Sequence, residues 1–169
     1  MTDRRGSIFQ WAAYAAAFLI AYFFSAGVFS HFPLGGCVPT IIPVAIAYAA
    51  MLEGSFAGSV FGLCLGLFGC LAQADAGAGL ILCGALTGML AGLCRERKFS
   101  HQIPVGLLCA FGGLVLVELV RVLGALLAHR GSLPVLGHIA LFETLYSMLL
   151  AVPTWFLFRF VHRRFGSGQ

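Results

Sequence analysis

The sequence predicts an all-α integral membrane protein: a compact bundle of six transmembrane helices with both termini in the cytosol. Three observations carry that expectation. Hydrophobic residues make up 60% of the 169-residue chain and charged residues only 9%, whereas soluble domains carry about a quarter charged residues. Mean hydropathy is +0.98, with the apolar residues gathered into runs near the ~20 residues that a spanning helix needs. Eight of the ten lysines and arginines fall on one side of an alternating topology. The length suits a single bundle over residues 1–169, with no room for an extramembrane domain.

Helix 1 is expected over about 8–30. Arg4-Arg5 before it resembles a secretory leader, but the apolar run is too long for a cleaved segment and more spans follow. His31-Phe32-Pro33-Leu34-Gly35-Gly36 makes a turn. Helix 2 covers about 37–52, with Pro39 near its start and Pro43 placed to kink it. Glu53-Gly54 is a tight connection, and helix 3 follows over 54–73. The short hairpin of helices 2 and 3 also admits a partly re-entrant arrangement. Asp75-Ala76-Gly77 punctuates the chain before helix 4 over 77–94. Arg95-Glu96-Arg97-Lys98 is a loop, Pro104 opens helix 5 over 103–127, and His129-Arg130-Gly131-Ser132 is the last loop. Pro134 opens helix 6 over 134–160.

Orientation follows from the basic residues. With both ends inside, the cytosolic segments hold Arg4, Arg5, Arg95, Arg97, Lys98, Arg159, Arg163 and Arg164, while the outer loops hold Arg130. Trp11 and Trp155 fall near the same inner face, where indole rings favour the interface. A net charge of +4 distributed in this way is topogenic and is no nucleic-acid footprint.

Two features stand out from the apolar background. Gly54, Gly58, Gly62 and Gly66 on helix 3, and Gly84, Gly88 and Gly92 on helix 4, recur at intervals of four. Such stripes let backbones approach closely, which predicts a tight hairpin of helices 3 and 4, with a groove of bare backbone for a substrate as the other reading. The second feature is Glu118, Arg121 and Glu143, charges set deep in apolar runs, where ionisable groups are costly and face the bundle interior, a partner or a transport path. Glu118 and Glu143 each lie about 14 Å below the outer ends of helices 5 and 6. Arg121 is one turn from Glu118 on the same face. Neighbouring helices 5 and 6 would therefore form a Glu–Arg–Glu group, with Tyr146 and Ser147 placed to extend it. A structural ion pair, a partner- or ligand-binding site and a proton-coupled site are all compatible with it. His138 sits at the outer boundary with no assigned role.

No catalytic, cofactor or metal motif is present. The chain lacks HExxH, GxSxG and GxxxxGK[ST], and its six cysteines (37, 64, 70, 83, 94, 109) include no CxxC pair. These cysteines read as small apolar packing residues. Asp75 and Glu53 read as loop carboxylates.

From Pro39 onward the chain resembles the rod shape-determining membrane protein family MreD. The resemblance rests on Glu53-Gly54-Ser55-Phe56-Ala57-Gly58 leading through Gly62 and Gly66, the Gly84-to-Gly92 helix ending in Arg95-Glu96-Arg97-Lys98, and Glu143-Thr144-Leu145-Tyr146 followed by Pro153 and a basic end. In one departure, Gly69 and Cys70 stand where many relatives carry an acid, and Asp75 is the nearest carboxylate. The resemblance implies a non-enzymatic part of the cell-elongation machinery in the bacterial inner membrane. It would associate with an MreC-like protein, through it with MreB filaments, and with the peptidoglycan polymerase RodA and a class B penicillin-binding protein. It also implies a fold like that of the substrate-binding subunits of energy-coupling-factor vitamin transporters. Membership of that transporter class is the alternative reading, supported by AxxxA spacing among Ala12, Ala13, Ala16, Ala17 and Ala21. Outer loops poor in polar side chains argue against it, and a proton-coupled carrier lacks the usual internal repeat.

Overall fold

The computed structural model describes residues 3–28, 39–72, 79–95, 103–129 and 133–165, and these are helical apart from short connections. Six helices run in order: α1 Asp3–Val28, α2 Ile42–Glu53, α3 Ser55–Ala72, α4 Gly79–Cys94, α5 Ile103–Leu127 and α6 Leu133–Phe165. The expected turn at 31–36, Cys37, Asp75, the 96–98 charges and Gly131-Ser132 lie outside the described residues. Three helices, Ser55–Ala72, Pro104–Leu127 and Leu133–Arg164, are long and apolar enough to cross a bilayer; α2 and α4 are apolar but shorter.

The organising element is α2. Every residue from Ile42 to Met51 is buried, as expected of a helix that is apolar all round. It touches each of the other five helices. Around it α3 packs on α4, α4 on α5, α5 on α6 and α6 on α1. Ring contacts of Trp11 with Phe61 and of Phe18 with Phe68 close the circle between α1 and α3.

The start of α2 differs from the sequence expectation of residue 37. Pro43 occupies the first turn of the helix rather than its interior. Proline is favoured there because its missing N–H belongs to the unpaired donors of a helix start. Pro39–Ile41 therefore enter as buried, non-helical backbone. Such backbone is tolerated at membrane depth only inside protein and with its polar groups bonded. Here the Thr40 N–H donates to Ser147 Oγ at 2.9 Å, and Ser25 Oγ donates to the Pro39 carbonyl at 3.4 Å.

The α3–α4 pair is backbone against backbone. A Cβ built on Gly62 would collide with the Gly84 carbonyl, one on Gly88 with the Gly58 carbonyl, one on Gly92 with Ser55, and one on Gly66 with Ile81. Gly58 and Gly84 also face α2, at Ala50 and Ile46. Gly54 is different. A Cβ there would meet only Arg95 Nη1, at an ordinary 3.6 Å, but its φ of 105° and ψ of 177° lie in a region that glycine alone enters readily. It turns α2 into α3, and its carbonyl carbon also lies against Gly92 of the stripe, 2.7 Å from where a Cβ would stand.

Two further expectations are corrected. Trp155 is no interfacial anchor: it is buried, edge-on to Tyr48 with ring centroids 4.9 Å apart, in the space left by Gly106. Helix α6 continues beyond the expected end at 160 to Phe165, so Arg163 and Arg164 are helical residues. Pro153 lies inside the uninterrupted α6, and near it the Tyr48 hydroxyl donates to the Ala151 carbonyl at 3.0 Å and Thr154 Oγ1 donates to the Leu150 carbonyl at 2.7 Å.

The outward faces are apolar. Ile20, Phe23 and Phe24 on α1, Leu67 and Leu71 on α3, Leu82 and Leu90 on α4, and Leu149, Phe156 and Phe160 on α6 are all well exposed. A soluble monomer does not present contiguous apolar surface on this scale.

Candidate functional site

Polar side chains gather at both ends of α2. At its N-terminal end, Arg121 Nη1 donates to Glu118 Oε1 at 3.1 Å and to Glu143 Oε1 at 2.9 Å. One guanidinium thus bridges α5 and α6 at the shared depth that the helix lengths predict. Thr40 Oγ1 donates to the same Glu143 oxygen at 2.5 Å, drawing in the chain just ahead of α2. The Thr40 N–H bond to Ser147, one turn beyond Glu143, completes the link. Glu118 and Glu143 are buried, at 7% and 5% exposure, while the Arg121 side chain is 45% exposed. Tyr146 is buried on the same stretch of α6. Thr40 was not apparent from the sequence, because a threonine in an apolar run is unremarkable.

The arrangement holds two carboxyls against one guanidinium. Charge-assisted bonds are short and strong, and in a low-dielectric interior their geometry fixes how the helices meet. A buried pair of this kind contributes less to net stability than to registry, because desolvation offsets much of the attraction.

Beside this cluster a cavity of about 690 Å³ runs between α5 and α6. Phe111, Val115, Leu119 and Leu123 line it from α5, and Leu141 and Leu145 from α6. Its polar members are Glu118 and Thr144.

At the other end of α2, Glu53 Oε1 collects three contacts. Gln10 Nε2 donates to it at 2.5 Å and the Tyr14 hydroxyl at 2.7 Å, while His162 Nδ1 lies 3.2 Å from it and 2.8 Å from the Tyr14 oxygen. With Tyr14 donating to Glu53, the Nδ1–H of His162 serves both oxygens. This second cluster joins α1, α2 and α6. Glu53 is therefore a tie between helices and not a loop carboxylate. The depth matching applied to Glu118 and Glu143 would have found it: Glu53 ends α2, Gln10 lies early in α1 and His162 late in α6.

His138 is exposed and rests on Phe142, with ring centroids 4.6 Å apart. None of the five described cysteines forms a disulfide, and Cys83 packs with Leu80 and Val117. Among the described residues no three His, Cys, Asp or Glu side chains gather as a metal site would require. Comparison with protein-family models, with characterised proteins and with solved structures finds no match for this chain.

Proposed function

We propose that this protein is a non-enzymatic membrane scaffold of the bacterial cell-elongation machinery, similar to MreD. It crosses the inner membrane six times with both termini in the cytosol, in a bundle resembling the substrate-binding subunits of energy-coupling-factor transporters. It acts through helix–helix contacts with an MreC-like protein, through it on MreB filaments, and with RodA and a class B penicillin-binding protein. The observation that carries the reading is where its polar groups go. Arg121 and Thr40 join α5 and α6 to the entry of α2, and Glu53 joins α1, α2 and α6. The polar side chains thereby hold one helix arrangement, and the surface left over is apolar. A body of fixed shape with a greasy exterior suits the docking of other membrane helices, and the resemblance carried by the glycine stripe and by Glu143-Thr144-Leu145-Tyr146 supports the same conclusion.

The vitamin-transporter alternative requires several convergent polar groups in a pocket. The α5–α6 cavity, with Glu118 and Thr144 among leucines, supports the scaffold reading over it. Affinity purification from its own membrane tests the choice. Recovery of wall-synthesis subunits, with rounding of cells on depletion, is the expected result. Recovery with an ATPase coupling module and a stoichiometric vitamin would refute it.

A further inference from the structure

The outer α5–α6 groove has a shape and a charge that point to a particular occupant. Its α5 wall includes Phe111, Val115, Glu118, Leu119, Val122 and Leu126, one face of the helix repeated at intervals of three and four. That face extends for about 22 Å at 1.5 Å per residue. A wall four turns long is shaped for another helix or an acyl chain, not for a compact ligand. Leu119, Leu123, Leu141 and Leu145 remain well exposed along it, so the groove is open from the side of the bundle.

Charge separates the two occupants. Glu118 lines the groove, and Glu118 and Glu143 share a single guanidinium nitrogen through one oxygen each. Two carboxyls face one guanidinium, so the group holds one more acidic side chain than basic. Thr144 lines the groove from the opposite wall, on α6. A hydrocarbon tail supplies no donor. A lipid headgroup sits at the membrane boundary, about 14 Å from Glu118 along α5. A cation can reach this depth when carried on the middle of a spanning helix, where an ionisable side chain is tolerated only if it meets a partner.

We infer that the α5–α6 groove is the seat of a partner protein's transmembrane helix, which brings a lysine or arginine level with Glu118. The inference rests on the scaffold reading and names the surface that the reading leaves open. The leucines give the helix its shape match, and Glu118 gives it register and selectivity, because a spanning helix with no cation leaves the carboxyl excess uncompensated.

Photo-crosslinking in the native membrane tests this on the full chain. Benzoylphenylalanine is placed at Leu123 or Leu119 in the groove, and at Leu86 on the exposed face of α4 as the control. The expected result is a groove-specific adduct with another protein, whose linked peptide, by mass spectrometry, is a transmembrane segment with lysine or arginine in its outer half. Glu118→Gln should lower the Leu123 adduct about thirtyfold or more, the scale expected when one side of a desolvated charge pair is neutralised. Leu145→Trp, which fills the groove and removes no bond, should lower it as well, so a folding defect in the first variant does not decide the matter. Adducts only with lipid, with a second copy of this chain or with a segment lacking a cation overturn the inference, as does a yield indifferent to Glu118→Gln. If wall-synthesis subunits still co-purify in that event, only the placement in the groove falls. If they fail to co-purify with wild type, the scaffold reading falls.

Discussion

Adding one methyl group at Gly62 measures how far the fold depends on bare backbone. A Cβ there would sit 2.7 Å from the Gly84 carbonyl carbon and 3.2 Å from Ala85 N, besides colliding with the Gly84 oxygen. The obstacles are main chain in the middle of a helix and have no rotamer to change. The Gly84 oxygen is the nearest obstacle, and ordinary contact with it returns only if α4 retreats by more than about 1 Å, a gap that forfeits about half or more of the dispersion energy of each atom pair it opens. Retreat would also loosen Gly58 against Gly88 and Gly66 against Ile81, since all lie along one stripe. Helices in lipid gain no hydrophobic driving force for association, so close contact is what holds the pair. Gly62→Ala should therefore cost about 3 kcal/mol, the upper part of the range for overpacking. Gly112 on α5 is the internal control: a Cβ there meets nothing within 4 Å, and alanine should be neutral or stabilising by up to about 1 kcal/mol through helix propensity. Thermal unfolding in detergent, followed by tryptophan fluorescence, compares the two. If Gly62→Ala unfolds with Gly112→Ala, the zipper does not hold the bundle as argued.

Three other outcomes are expected. Glu143→Ala removes the acceptor of both Arg121 and Thr40 and should cost about 3 kcal/mol in the same assay; replacing Glu118, Arg121 and Glu143 together with glutamine should recover most of that loss, and equal instability of the two would contradict the pairing. Tyr14→Phe deletes the hydroxyl between Glu53 and His162 and should cost about 1–2 kcal/mol, which a wild-type melting curve would disprove. Reporter fusions should place the end of α6 in the cytosol, so that a green fluorescent fusion is bright and a phosphatase fusion inactive; the reverse pattern would invert the orientation argued from the basic residues.

Much of the architecture is legible in one dimension because lipid restricts what a segment can do. The period-four glycines on α3 and α4 announce their contact, and counting rise from the loop expected at 129–132 sets Glu118 and Glu143 at one level. The reading fails where the apolar code is silent. Residues 37–41 are as apolar as the helix that follows, so nothing marks Ile42 as its start, and Pro43 reads equally as kink or opening. Glu53 beside Gly54 has the look of a loop, and His162 is hidden among arginines whose topogenic role explains them fully. Trp155 misleads for a related reason: an indole near a membrane boundary fits an interface as well as an interior, and only Gly106 opposite it decides. Thr40 becomes visible only once α6 lies alongside α2.

The placement of α2 bears on how the protein is made. Its first turn leaves the ribosome early, yet Thr40 waits for Glu143 and Ser147, 103 and 107 residues later. At about 5–20 residues per second that interval is of the order of 5–20 seconds, during which the innermost helix of the finished molecule has neither its polar tethers nor its α5 and α6 walls. Insertion must therefore shelter this segment, first beside α3 across the Gly54 turn, until the last hairpin arrives to enclose it.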